Sequence, residues 1–312
     1  NSGGFQPLLA MNPTPRLSLG PVPYFWGEKQ LRSFYDSAAN SAFEIIYLGE
    51  MVCAKRRPFS FEGWLALARD LASAGKTVIF STLALLEAGS ELGFLKRLIA
   101  NGEFMIEAND VAAIQLARGH PFVGGSTLNI YNPRTLEVLA AQGLVRWMPP
   151  TELGSGPTEA LHQARPANVQ TELPVWGRMP LAWSARCYTA RHLDRAKDQC
   201  GFCCSEYPEG LLVHTQEEQR FLVLNGTQVT SATRLNLLEH LPQILASKVE
   251  VLRLAGDHPA VFEAGKLVRT VLDGQLDAST AAQQAVHLTS DDDSDGYWLG
   301  QPGMMTAGVP RD

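Results

Sequence analysis

Over its first 160 residues the chain repeats one unit. A short β-branched or apolar run ends in a polar residue, an amphipathic stretch with helical spacing follows, and a glycine restarts the pattern. Residues 43–49 read as a strand, with Ser60 as N-cap of a helix whose Trp64, Leu65, Leu67, Ala68 and Leu71 recur at helical spacing up to Gly75. Strand 77–81 precedes helix 90–100, which Asn101 and Gly102 stop. Strand 104–107 precedes helix 110–118, with Asp110 as its N-cap, and strand 121–124 precedes helix 132–142, with Pro133 at its first position. A sixth strand opens at 144–148. A restart about every 20 to 30 residues fits successive βα units, hence a parallel sheet with right-handed crossovers.

Adding a first strand near Leu17, a seventh over 173–183 and an eighth over 249–254, followed by a helix over 259–272, gives eight. The expected fold is α/β, a (β/α)8 TIM-like barrel. No G-x-G-x-x-G follows the early strands, so a dinucleotide-binding sheet lacks its main support. The 312 residues would allow two domains at about 150 residues each, but a barrel takes about 250 as one unit. The expectation is one domain over 11–300, with 1–10 and 301–312 as flexible termini and Met11 a candidate natural start.

Composition narrows the function. With 45% hydrophobic and 19% charged residues the chain is an ordinary ordered globule. A formal net charge of −6 implies no broad basic stripe and argues against an electrostatic nucleic-acid binder. Apolar runs fall short of the roughly 20 residues that span a bilayer, and the start has neither the basic region nor the apolar core of a signal peptide. A cytoplasmic location is expected.

Residues 184–248 break the rhythm. The segment exceeds the usual loop of about 2–6 residues and is an insertion hanging from the end of strand seven, the barrel end that carries chemistry. It reads as a hairpin over 211–213 and 221–224, a turn at Asn225-Gly226, and a helix over 235–245. The acidic stretch 291–295 reads as a solvated loop.

Four of the five cysteines, Cys187, Cys200, Cys203 and Cys204, follow the spacing C-x12-C-x2-C-C in this insertion. The odd count and the expected reducing compartment argue against a disulfide framework. Cys53 follows strand two and belongs to the same barrel end. Convergent thiolates suit an iron–sulfur cluster or tetrahedral zinc. The absence of C-x2-C … C-x2-C disfavours structural zinc, while buried thiols with no shared role remain the plain alternative. Neighbouring Cys203 and Cys204 diverge, so one of them is spare. A nucleophilic cysteine would need a paired histidine; His192 and His214 are nearby in sequence but read as surface residues.

Two blocks, 48–57 around Cys53 and 180–191 around Cys187, resemble the collagenase-like peptidase family, and within it the branch that serves ubiquinone biosynthesis. Further similar segments are 80–85, 101–104, 107–110, 224–226 and 296–298, so the likeness runs from about Leu17 to about Trp298. The resemblance implies a [4Fe–4S] cluster on Cys53, Cys187, Cys200 and Cys204, with Cys203 as the non-ligand member of the pair. It also implies a heterodimer with a UbiU-like homologous subunit, a UbiT-like lipid-binding accessory protein, and O2-independent hydroxylation of a ubiquinone precursor with prephenate as oxygen source. Relatives that hydroxylate RNA bases supply a rival reading, and a non-catalytic electron-transfer or scaffold subunit a third. Peptidase chemistry finds no support in H-E-x-x-H or G-x-S-x-G motifs.

Polar residues at strand ends complete the candidates: Glu50, Ser81, Thr82, Glu107, Asn109, Asp110, Ser126, Asn129, Glu152 and Arg253. A barrel could gather them around a ligand, although each taken singly reads as a cap or loop residue. Glu107 and Arg253 could form an ion pair inside the mouth. Arg56 and Arg57, beside Cys53, would offset thiolate charge, dock a partner, or face solvent.

Overall fold

The structure, a computed structural model, describes residues 14–306. The expected flexible terminus 1–10, the start at Met11 and residues 307–312 lie outside the described residues. In chain order the elements are β1 (Arg16–Leu19), α1 (Glu28–Ala39), β2 (Ile45–Leu48), α2 (Phe61–Ser73), β3 (Thr77–Ser81), α3 (Gly89–Ile99), β4 (Met105–Ala108), α4 (Val111–Leu116), β5 (Phe122–Gly124), α5 (Pro133–Ala140), β6 (Leu144–Trp147), α6 (Ser155–Ala164) and β7 (Gln170–Trp183). Then follow α7 (Tyr188–His192), β8 (Leu211–His214), β9 (Arg220–Asn225), β10 (Gln228–Asn236), α8 (Leu241–Ala246), β11 (Val251–Leu254), α9 (Val261–Leu272), α10 (Ala278–Val286) and β12 (Asp293–Ser294).

Strands β1 to β7 pair in sequence order and in parallel, and β11 pairs in parallel with both β7 and β1, closing an eight-stranded barrel. The helix starts are set by the chemistry legible in the sequence. Ser60 accepts a hydrogen bond from the Gly63 amide at 3.0 Å, Asp110 from Ala112 at 2.7 Å, and Asn132 from Thr135 at 2.9 Å. Each satisfies a donor that the first helical turn leaves without a partner.

Two apolar cores result from period-2 strands in a closed sheet. The larger lies between barrel and helices and includes Leu17, Ile46, Phe80, Ile106, Phe122, Trp147 and Leu252. The smaller fills the barrel and comprises Ile45, Tyr47, Ile79, Val123 and Val251.

Strand β7 has two parts. Its first half is barrel wall, and its second half leaves the barrel to pair antiparallel with β10, onto which β9 and β8 add. Gly177 stands at the junction with φ +121°, and a Cβ there would lie 2.3 Å from the Ala255 Cβ, so only glycine fits. The antiparallel extension carries the inserted segment over the C-terminal end of the barrel.

Two expectations need correction. The helix expected over 235–245 starts only at Leu238, as a 3-10 turn over Leu238–His240 that runs into α8 (Leu241–Ala246), because Leu235 and Asn236 are spent on the ladder, opposite Gly177 and Trp176 of β7. The acidic stretch 291–295 is not a solvated loop. Asp291 and Asp295 are buried, Asp291 against three arginines and Asp295 against His240 at 2.8 Å. Residues 301–306 fold back on this stretch, with the Asp295 and Gly296 amides donating to the Met305 carbonyl.

Candidate functional site

A buried network of charges stands among the apolar side chains of the barrel interior. Glu172 of β7 accepts from Ser18 (2.5 Å), Tyr47 (2.5 Å) and Arg253 Nε (2.8 Å), and pairs with Arg146 at 3.5 Å. Arg253 of β11 also donates to Glu107 at 2.6 Å, and its guanidinium lies 3.8 Å from the centroid of the Tyr47 ring. Glu107 accepts from Ser81 at 2.6 Å. The expected pair of Glu107 and Arg253 is therefore present, inside a larger network. Burial opposes ionisation of Glu172, but the Arg253 and Arg146 charges and the donated hydrogen bonds outweigh it and hold its pKa at about 2. Burial, with the Glu172 charge added, pushes the Tyr47 hydroxyl up, so it stays a donor.

A second network lies where the extension meets the barrel. Arg178 chelates Asp291 through Nε (3.1 Å) and Nη2 (2.9 Å), and donates to the Tyr24 hydroxyl at 3.0 Å. Arg234 donates to both Asp257 oxygens at 3.0 Å and to Asp291 at 2.8 Å, and stacks on Trp176 at 4.5 Å. Burial would raise the Asp291 pKa, yet the hydrogen bonds and charges of Arg178 and Arg234 hold it below the usual value. Burial pushes Tyr24 to about 12. Strands β7 and β10, the loop after β11 and the C-terminal segment are thereby tied together by charges that are largely buried, where the low local dielectric strengthens them.

All five cysteines are free thiols. Cys187 caps α7, its sulfur accepting from the Ala190 amide at 3.4 Å. It packs with Ala190 and Cys203, and Leu193 and Cys200 lie against them. Cys203 is the most buried of these thiols, whereas Cys204 interacts with the buried Arg56, as does Cys53. Burial pushes the thiols of Cys53, Cys203 and Cys204 up, and Arg56 partly offsets this for Cys53 and Cys204.

The loop bearing Cys53 is fastened to the inserted segment at three points. Thr227 Oγ1 donates to the Val52 carbonyl at 2.5 Å, Arg56 to Asn225 at 2.8 Å, and Lys55 to the Lys197 carbonyl at 2.8 Å. Glu50 accepts from the Val52 and Cys53 amides at 2.8 and 3.0 Å. Gly226 opens the two-residue turn between β9 and β10 at φ +62°, and a Cβ there would meet Arg56 Nη2 at 2.7 Å.

Among the described residues no group of three or more His, Cys, Asp or Glu is placed to hold a metal ion. The thiols nonetheless fit an iron–sulfur cluster in donor chemistry, being soft, unbridged and gathered at one barrel end beside a fixed cation.

The remaining sequence candidates divide. Thr82 and Asn109 brace one another at the mouth, the Asn109 amides donating to Thr82 Oγ1 and to its carbonyl at 3.0 Å. Ser126, Asn129 and Glu152 line a groove of about 540 Å³ beside it, with Tyr131, Trp183 and Tyr297. Asp110 is a helix cap, and Arg57, His192 and His214 are exposed. Sequence reasoning missed Tyr47, Arg146, Glu172, Arg178, Arg234, Asp257 and Asp291. A single charge inside an apolar strand, as in Leu144-Val145-Arg146-Trp147, was the available signal, because in a closed barrel such a charge is buried on one face or the other.

The family model described as Peptidase family U32 matches residues 29–304. Among solved structures, the U32 peptidase Mk0906 aligns with TM-score 0.45 and 11% identity over 81% of this chain and 97% of its own. Tryptophan synthase from M. tuberculosis gives 0.40 and 10% over 89% and 92%, and Yersinia pestis DHPS 0.39 and 12% over 84% and 95%. No helix among the described residues is long and apolar enough to cross a membrane.

Proposed function

The chain belongs to Peptidase family U32, and from that premise we propose that it is a UbiV-type iron–sulfur subunit of an O2-independent hydroxylation system in anaerobic ubiquinone biosynthesis. In this reading Cys53, Cys187, Cys200 and Cys204 hold a [4Fe–4S] cluster, which supplies one-electron transfer when bound. A UbiU-like subunit completes the heterodimer, a UbiT-like lipid-binding protein delivers the ubiquinone precursor, and prephenate supplies the oxygen.

The observation that carries the reading is the docking of the Cys53 loop on the cysteine segment, with Arg56 beside both Cys53 and Cys204. In the proposed site Arg56 offsets thiolate charge from the two remote stretches of chain. Its own position is fixed by the Pro23 carbonyl at 2.7 Å and by Asn225. Glu50 sets the backbone at Cys53, and the Ala190 amide steadies the Cys187 sulfur. Cys203, turned into the apolar packing around Cys187, is left as the spare thiol.

The test is iron, sulfide and zinc analysis of protein purified anaerobically. About four iron and four sulfide per chain are expected for one [4Fe–4S] cluster; about one zinc without sulfide refutes the cluster. In a deletion strain, loss of ubiquinone confined to anaerobic growth supports the pathway, whereas loss of a hydroxylated RNA base with normal quinone assigns the chain to the RNA reading instead.

A further inference from the structure

At the C-terminal mouth of the barrel lies a cavity of about 90 Å³, lined by Glu107, Arg253, Trp176, Thr230 and Asp257 among others and by none of the five cysteines. Among the described residues, eight buried side-chain nitrogens or oxygens have no hydrogen-bond partner. Three of them, Arg253 Nη2, Trp176 Nε1 and Thr230 Oγ1, belong to residues that line this one cavity. Their residues are only 6%, 1% and 3% exposed. Buried polar groups are nearly always paired, so orphans collected around one space mark a place where a ligand supplies the missing partners.

The chemistry of the orphans defines the ligand. An arginine Nη and an indole Nε1 can only donate, and a threonine hydroxyl can do either, so the ligand must bring acceptor oxygens. Arg253 keeps Nη2 free beyond its pairs with Glu107 and Glu172, and with Arg178 it puts two guanidiniums on the cavity wall, whose charge-assisted hydrogen bonds favour a carboxylate. Glu107 and Asp257 line the same cavity, each already committed to an arginine, and their negative charge disfavours a multiply charged anion such as phosphate. Met51, Met148 and Met179 form part of the remaining wall and suit an apolar body. The volume exceeds by several times the roughly 10–15 Å³ that one water needs.

We propose that the barrel mouth binds a small, singly charged organic acid with an apolar body, its carboxylate held by Arg253, Trp176 and Thr230. This assignment stands on the cavity and is independent of the thiols.

The experiment is calorimetric titration of the anaerobically purified full chain with acetate, benzoate, benzamide and inorganic phosphate, with iron and sulfide measured on the same sample. Saturable binding of acetate or benzoate below about 10 mM is expected, with benzamide and phosphate at least tenfold weaker. Thr230→Val removes one orphan at nearly constant shape, and Trp176→Phe removes another while leaving a smaller ring. Each should weaken the carboxylate about fivefold, the worth of one hydrogen bond, while Thr230→Val leaves the ligand-free protein at least as thermally stable as wild type. The proposal is overturned if neither carboxylate saturates, if benzamide or phosphate binds as tightly, or if neither variant changes the affinity. A chain that binds benzoate but lacks iron and sulfide refutes the cluster alone, and the converse refutes the acid site alone.

Discussion

Replacing Glu172 by glutamine tests the interior network most directly. The carboxylate is fully buried and serves both Arg253 and Arg146. Its pKa is held at about 2 against an ordinary 4.5, so ionisation of Glu172 stabilises the folded state by about 3 kcal/mol at neutral pH. Because the folded pKa lies below the unfolded one, that stabilisation is complete above about pH 5 and fades as pH falls toward 2. Glu172→Gln keeps the shape but leaves two buried guanidiniums short of a counter-charge, a change that costs about 3–5 kcal/mol. Urea denaturation at pH 7 should therefore show a loss of that size, shrinking by about 2 kcal/mol at pH 3. Glu103→Gln, at an exposed ion pair with Arg69, is the control and should leave the midpoint in place. A loss at Glu172 below about 1 kcal/mol, or one that does not change with pH, would show that the interior charges are solvated and the reasoning wrong.

Other outcomes follow from the same geometry. Asp291→Asn removes the negative charge that Arg178 and Arg234 share, and should lower the unfolding free energy by about 3 kcal/mol; limited proteolysis should then cut the inserted segment sooner. Gly177→Ala must place a Cβ 2.3 Å from Ala255 at φ +121°, at a cost of more than about 2 kcal/mol, whereas Gly156→Ala in α6, with open space around it, should be neutral or stabilising by up to about 1 kcal/mol. Cys203→Ala should keep most of the iron in anaerobically purified protein and Cys204→Ala should lose it; the reverse pattern would exchange their proposed roles.

What local chemistry can encode was legible. Ser60, Asp110 and Asn132 announce helix starts because a side-chain oxygen reaches an amide two or three residues on, and the period of apolar residues announces each strand. Eight such strands with helices between them imply a closed barrel, since the helices cover one face of the sheet and closure buries the other. The correction at 291–295 shows the boundary of that logic: three consecutive aspartates read as solvated until Arg178, Arg234 and Arg220, from other strands, are known to surround Asp291.

By itself, then, the sequence determined the alternation of eight strands with helices, from which a barrel was expected, and the presence of a thiol-rich insertion; the alternation and the insertion depend on neighbours within a turn or a strand. Only the tertiary structure decided that β11 closes on β7, bringing Arg253 to Glu172, that Gly177 turns β7 out of the wall, and that Arg56 stands beside both Cys53 and Cys204. These are contacts between residues far apart in the chain, fixed by strand register, and a shift of one residue would reverse which charges face inward.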